Sequence, residues 1–389
     1  MRRPPRWSRL AEPVDRASSD PRRETSITLR ERYLAHVRGE RTAPVLDLLR
    51  PLGSAFGALM RLRNRLYDRG ILSIQDPPMP VVAVGNLTFG GTGKTPWVSY
   101  LIESLARPGR ALGVLTRGYG ASRDEARLIA GRHPEVAIAV DPDRARGARE
   151  LARKGVTLAI ADDAFQHRRL RRVADLVLID ARHPFGNERM LPAGMLREPI
   201  DAVSRATAVI VTRSSEATEE ERDCLEKRLR SLLPVDRLFR SDLEVGAWWE
   251  LESAGAWETG ASGGRDRGSR AGAAARLLDR DRMRGAAVIA VCAIGNPASF
   301  HRTLRTHGLE VRDAIVHRDH HRFGGGDLTR IAERASRLGA GWIACTEKDL
   351  YNLPGDWRPP VPLLVPRLGV TVDRPVDLLD LVESRIATF

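Results

Sequence analysis

The stretch VVAVGNLTFGGTGKTPW, residues 81 to 97, decides the fold. It begins as a valine-rich apolar run, breaks into glycines, and resumes as an apolar-periodic segment after Gly93-Lys94-Thr95. Such a run reads as a buried parallel strand, and the segment behind it as a helix. Strand, glycine-rich turn and helix in that order make a phosphate-binding loop. Its residues are Thr88, Phe89, Gly90, Gly91, Thr92, Gly93, Lys94 and Thr95. The glycines let backbone N–H groups wrap an anion, and the helix N-terminus adds its positive end. Lys94 is one of four lysines among 63 basic residues. A slim ammonium enters such a loop and reaches β- and γ-phosphates, where a guanidinium fork is too broad. Lys94 is therefore a candidate catalytic cation, and Thr95 offers a hydroxyl to Mg2+. The strict pattern has glycine at position 88, where this chain carries Thr88.

Working outward, apolar strand patterns recur at 112–116, 136–141, 156–163, 174–180 and 206–212, with helical patterns between several of them. That alternation predicts an α/β fold: a P-loop NTPase-like, mostly parallel sheet. Ligands on such sheets bind at the carboxyl ends of the strands. Residues 254–282 are rich in Gly, Ala and Arg without periodicity and read as a flexible insert. The β-α pattern restarts after it, which predicts a second, smaller C-terminal α/β lobe. The expected division is a disordered basic arm at 1–43, an interfacial helix at 44–72, a P-loop lobe at 73–253, the insert, and the C-terminal lobe at 283–389.

The chain has 389 residues and a formal net charge of +13, which favours anionic partners. Aromatic residues make up only 5%, without the basic-aromatic interleaving of a nucleic-acid surface. The three cysteines are scattered and odd in number, which argues against a disulfide framework and suits a reducing compartment. Before the P-loop, Leu48, Leu52, Phe56, Leu59, Leu62 and Leu66 recur at helical spacing among arginines. The longest charge-free run there, residues 51–60, is half of the roughly 20 residues a bilayer span needs. A basic amphipathic helix of this kind lies in a membrane interface.

A second motif, LAIADD, delivers Asp162 and Asp163 to a strand end, where a P-loop enzyme holds its metal. Further stretches are GNLTFGGTGKTP (85–96), TRGYG (116–120), DDAFQHRRL (162–170), FGNERMLPAGMLREP (185–199), RDHHRF (318–323) and TEKD (346–349). In this combination and order the chain resembles the tetraacyldisaccharide 4'-kinases of lipid A biosynthesis. The resemblance implies ATP and Mg2+ as cofactors. It also implies transfer of the γ-phosphate to the 4'-hydroxyl of a lipid A disaccharide precursor, at the cytoplasmic face of the inner membrane. The association with that surface would be peripheral or monotopic, with no nucleic acid and no obligate protein partner. The family's acidic pair falls on Asp124-Glu125, its Walker B aspartates on Asp162 and Asp163, its acidic-histidine pair on Asp319-His320, and a further metal-site acid on Glu198. The resemblance implies that Asp124 and His320 together activate the acceptor hydroxyl. The loop between RGYG and the acidic pair is shorter here than in the family. Arg117, Gln166, His167, Arg168, Arg171 and Arg197 are candidates for reading sugar hydroxyls or the acceptor's phosphate. The rival reading is a regulatory P-loop ATPase or GTPase that binds proteins or nucleic acid. A GTPase needs an NKxD element, and TEKD is the nearest string.

Overall fold

The computed structural model describes residues 29–41, 43–90, 92–118, 122–257, 275–319 and 321–389, with the side chains of 29–31 and 122–124 excepted. Most of the expected basic arm, the centre of the insert, Gly91 and His320 therefore lie outside the described residues, as does the side chain of Asp124.

Among the described residues one sheet of 12 strands runs through the molecule. In chain order the strands are β1 (Val81–Asn86), β2 (Leu112–Thr116), β3 (Ala137–Val140), β4 (Leu158–Asp162), β5 (Ala174–Asp180), β6 (Ala208–Thr212), β7 (Leu238–Leu251), β8 (Ala275–Leu278), β9 (Ala287–Cys292), β10 (Glu310–Val316), β11 (Trp342–Cys345) and β12 (Leu363–Val372). The spatial order is β10-β9-β11-β12-β7-β6-β5-β1-β4-β2-β3, and β8 pairs with β7. Pairing is parallel except at β7–β12 and β7–β8. Every residue of β1, β2, β4 and β6 is buried. Strands covered on both faces can be apolar throughout, which is why these read as continuous runs.

β1 lies between β4 and β5. The chain leaves β1 towards β2 on one side and later returns to β5 on the other. A crevice opens at such a switch point, outside the strand's carboxyl end, and the glycine-rich loop sits there. The helix Lys94–Leu105 follows, and its Trp97, Val98, Leu101, Ile102 and Leu105 are buried in the main core.

The second half of the sheet has its own core around Ile289, Val291, Ile331, Ile343 and Leu363. It is not a separate body. β12 runs back antiparallel along β7 from Leu251 to Ser241, and the last helix, Pro375–Ile386, buries Leu378 and Val382 in the core of the P-loop half. The helix Ser122–Arg132 bridges the halves. Its Arg132 is buried beside the equally buried Glu347 of the TEKD segment, with Nε donating to Oε1 at 2.9 Å.

Three expectations need narrowing. Residues 29–38 form a helix, and Val37 and His36 are buried, so the basic arm does not extend to 43. Residues 275–278 are strand β8 and Trp257 is core, so the insert is shorter than 254–282. The amphipathic segment is a 3-10 turn, Pro44–Leu49, and a helix, Arg50–Asp68, whose apolar residues divide between two faces. Phe56 and Met60 pack inward, whereas Leu48, Leu52, Leu59 and Leu62 are each more than half exposed. Gly53 makes the inward packing possible, because a Cβ there would stand 2.9 Å from the Met190 carbonyl oxygen.

The Arg132–Glu347 pair yields a stability prediction. Arg132→Leu strands a buried carboxylate and should cost about 3–5 kcal/mol, whereas the double change Arg132→Leu/Glu347→Leu should recover much of that loss. Urea unfolding of the two variants measures both values. Equal losses would show that the ion pair is not the source.

Candidate functional site

The site is built from β1's end outward. Asn86 closes β1, and its amide Nδ2 donates to Thr92 Oγ1 at 3.0 Å, which folds the loop back on the strand. Gly93 adopts φ 85, a left-handed conformation that costs glycine nothing, and so turns the chain into the helix that starts at Lys94. The loop's other edge is fastened by Phe89 N–H to the Met195 carbonyl (3.0 Å) and Arg197 N–H to the Leu87 carbonyl (2.8 Å). Thr88 is buried in a bridge with Leu196.

The LAIADD strand is β4, and it places both aspartates beside this loop. Lys94 Nζ lies 3.6 Å from Asp163 Oδ1 and 3.4 Å from Asn86 Oδ1. Arg197 grips Asp163 with two guanidinium nitrogens, at 2.9 and 2.7 Å, and also donates to Asn86 Oδ1. Burial alone would raise Asp163, but the Arg197 hydrogen bonds and the Lys94 charge outweigh it and hold the carboxyl far below the usual range. Asp163 takes φ 50, and its neighbours hold it in that conformation. Asp162 is different. It is buried, its pKa is raised by burial against the pull of Lys94, and its Oδ1 has no hydrogen-bond partner among the described residues.

An orphaned buried carboxylate oxygen, a second carboxylate adjoining it and the partly buried Thr95 hydroxyl at the helix start are oxygen donors that fit Mg2+. Glu198, expected among the metal ligands, is fully buried, with Arg205 at 2.6 Å, Asn64 at 3.5 Å and Arg63 at 4.0 Å around it. Its Oε1 makes no hydrogen bond among the described residues.

The other candidates separate similarly. Gln166 Nε2 donates to the Asn86 carbonyl at 2.8 Å and so belongs to the site. His167 is held down at about 4 by burial and by Arg144 and Arg172, which leaves a neutral ring with a buried, unbonded Nε2 among the described residues. Arg168 instead spans to the amphipathic helix, donating to the Asn64 carbonyl (3.0 Å) and Asp68 (2.7 Å). Arg171 pairs with Asp76 on the surface. These two are anchors for the preceding segment, with their donors committed there. Arg117 is exposed just past β2.

Sequence reasoning passed over Arg144 and gave no role to Lys348 or Glu125. Arg144 is buried and donates to the Asp162 carbonyl at 2.7 Å, and burial pulls its pKa down to about 10. Its signal was available: a cation in the first helical turn, beside the Asp143 cap, opposes the helix dipole and calls for another reason. Lys348, in the second half of the sheet, pairs within that half, with Nζ 2.8 Å from Asp319. Glu125, named only as half of an acidic pair, is partly buried and its pKa is pushed up to about 7. Burial is the main cause, Asp162 adds to it, and Lys94 and Lys348 oppose it. Glu125 thus feels groups from both halves of the molecule.

A phosphate loop at a sheet switch point, with a lysine and paired aspartates beside it, defines a P-loop nucleotide-binding protein. The family model for tetraacyldisaccharide-1-P 4'-kinase matches residues 45–386. A tetraacyldisaccharide 4'-kinase of Anaeromyxobacter sp. strain K is 36% identical over 323 residues, covering 77% of this chain and 79% of the relative. One of Bdellovibrio bacteriovorus is 32% identical, covering 78% and 88%. The solved structure of LpxK from Aquifex aeolicus in complex with ATP superposes with a TM-score of 0.65 at 24% identity, over 88% of this chain and 99% of that one, and shows the same fold. The chain belongs to the tetraacyldisaccharide-1-P 4'-kinase family.

The raised Glu125 has a consequence for stability. Its folded pKa of about 7 stands above the ordinary value of 4.5, so its contribution is fully present below about pH 4.5 and is lost as pH rises through 7. Glu125→Gln should therefore be more stable than the parent at pH 8, and the difference should disappear near pH 5. Urea midpoints at the two pH values provide the check, and an unchanged difference between them would contradict this placement of the charge.

Proposed function

We propose that this protein transfers the γ-phosphate of ATP to the 4'-hydroxyl of a tetraacyldisaccharide 1-phosphate lipid A precursor. It would do so at the cytoplasmic face of the inner membrane. The observation that carries the reading is the convergence of Lys94, Asp162, Asp163 and Arg197 on the phosphate loop of a chain in this kinase family. Membership in that family favours the kinase over a regulatory ATPase or GTPase.

Backbone N–H groups of the loop hold the β- and γ-phosphates, and Lys94 leaves Asp163 to meet them. Asp162, Asp163 and Thr95 would hold Mg2+, whose charge would offset that of the phosphate oxygens. Arg197 keeps Asp163 ionised and oriented. The acceptor oxygen forms a bond to the γ-phosphorus, the bond from that phosphorus to the β,γ-bridging oxygen breaks, and ADP departs. The hydroxyl proton passes to a base, a role the family resemblance gives to Asp124 with His320. Glu125 stands next to that base with its own proton loosely held near neutrality. Gln166 and His167 are placed to meet the sugar.

The direct test is incubation with γ-labelled ATP, Mg2+ and a disaccharide-1-phosphate lipid. Label should appear in the lipid. Lys94→Arg should lower kcat by at least about 100-fold, as for loss of one electrostatic stabiliser. Label released only as free phosphate would overturn the acceptor assignment, and near-normal turnover in Lys94→Arg would overturn the role of the lysine.

The membrane part of the proposal rests on Val45, Leu48, Leu52, Leu59 and Leu62, each more than half exposed on the first helical segment. Among the described residues no helix is long and apolar enough to cross a membrane. The exposed face therefore docks in the interface, with neighbouring arginines each adding about 1 kcal/mol near an anionic surface. Changing Leu48, Leu52 and Leu59 together to Ser should release the protein from anionic vesicles in flotation and leave turnover on a water-soluble, short-chain acceptor intact. Loss of turnover on both acceptors would assign the leucines to folding instead.

A further inference from the structure

One side-chain cluster lies outside the nucleotide site and has no part in the proposed reaction. β10 ends at Val316, and the turn after it leads to the helix Gly325–Arg337. His317 and His321 flank this turn, and Asp327 sits in the first turn of the helix. The two imidazoles are stacked, with centroids 4.1 Å apart and planes within 7°. Both present Nε2 to the same carboxylate: His321 at 2.8 Å from Oδ2 and His317 at 3.9 Å from Oδ1. Phe323 stands edge-on to each ring at 5.3 Å and closes one side with an apolar wall.

The His317 Nε2 is buried and makes no hydrogen bond among the described residues. Buried nitrogens are ordinarily satisfied, so this one calls for a partner. The three ligand atoms already lie within 4.8 Å of one another. We infer that His317, His321 and Asp327 form a site for one divalent ion of the zinc, cobalt or nickel class, which fastens the turn to the helix behind it.

The donor set decides the class of ion. Two imidazole nitrogens and one carboxylate oxygen suit zinc-like ions with water in a fourth position, whereas Mg2+ prefers oxygen throughout. The cluster is thus chemically distinct from the Asp162–Asp163 site. Tetrahedral ligands at about 2.0–2.2 Å stand roughly 3.3–3.6 Å apart, so the widest pair must close by roughly 1 Å. The rings are now parallel, so each must also tilt well out of the stack to turn its Nε2 lone pair onto one ion. Gly324 N–H donates to Asp327 Oδ2 at 3.1 Å and would act as the outer partner that orients the carboxylate. Arg330 donates to Oδ1 at 3.0 Å, but its side chain is about half exposed and can swing to solvent as an ion enters. The fastened turn also carries Asp319, the partner of Lys348, so the ion would stiffen the turn that holds this pair.

The test uses the full chain without a histidine tag, stripped with chelator and titrated with Co2+ in excess Mg2+. The wild type should bind one equivalent with the intense visible absorption of four-coordinate Co2+, and Zn2+ should displace it. His317→Ala and Asp327→Asn should each weaken Co2+ binding by at least about 10-fold. Zn2+ should raise the unfolding temperature of the wild type and leave that of both variants unchanged. Asp327→Asn retains an oxygen for the Gly324 N–H, so it reports on the site if His317→Ala does not fold. Absence of stoichiometric Co2+ in the wild type, or equal affinity in wild type and Asp327→Asn, would overturn the inference. None of these readouts uses phosphotransfer, so they stand or fall apart from the proposed function.

Discussion

The guanidinium of Arg197 joins three segments that are distant in sequence. It clamps Asp163 at the end of β4, reaches Asn86 at the end of β1, and is itself carried by the loop whose backbone edges the glycine-rich turn. The surrounding site crowds Glu125, Asp162 and Asp163 together with Lys94 and Arg144. Taking so many charges out of water is expensive, and a partner missing on either side leaves the remaining charge uncompensated. Arg197 holds Asp163 ionised. Asp162 and Glu125 have raised pKa values. The site is therefore short of positive charge beside these two carboxyls. Clustering like charges there costs folding stability, and a cation bound to the folded state would return some of it.

Much of this was legible in the sequence, and the reason is physical. Strands buried on both faces must be apolar throughout, so β1, β4, β5 and β6 announced themselves as unbroken runs ending in Asn86, Asp162, Asp180 and Thr212. The ends of those runs located the site. What stayed hidden was partnership. Glu198 sits in a telling motif, yet nothing in the spacing says that Arg63, from the amphipathic helix, stands 4.0 Å from it. Arg168 looks like a phosphate reader until Asp68 and the Asn64 carbonyl are seen to hold it. Pairings across 100 residues or more leave no trace in spacing. β8 was missed for another reason: four residues with one buried leucine give too short an alternation to stand out from a Gly- and Ala-rich segment.

The second half of the sheet was legible as a restart of the β-α pattern, but its dependence on the first was not. β7 begins parallel to β6 and then pairs antiparallel with β12, so one 14-residue strand belongs to both halves. The last helix then returns to the P-loop core. Together with the buried Arg132–Glu347 pair, these links make the halves one cooperative body around β7, with the helix Ser122–Arg132 as the tie on the site's side. Among the described residues the sheet offers no unpaired seam between the halves.

The same reasoning explains how the amphipathic helix connects to the site. An amphipathic helix with one apolar face must choose between core and lipid. This helix avoids the choice by burying a narrow strip of Gly53, Phe56, Gly57 and Met60, which leaves its leucines outside. The glycines bring its backbone close to the 190–193 turn, and that turn precedes Arg197 by a few residues. At the other end, Arg63 donates to the Gln166 carbonyl at 2.9 Å, and Gln166 donates to the Asn86 carbonyl at 2.8 Å. Two hydrogen bonds thus separate the exposed leucines' helix from the strand that carries the phosphate loop. The exposed leucines are thereby held at a fixed height and tilt relative to Lys94, so whatever they dock on is set in position against the phosphate loop.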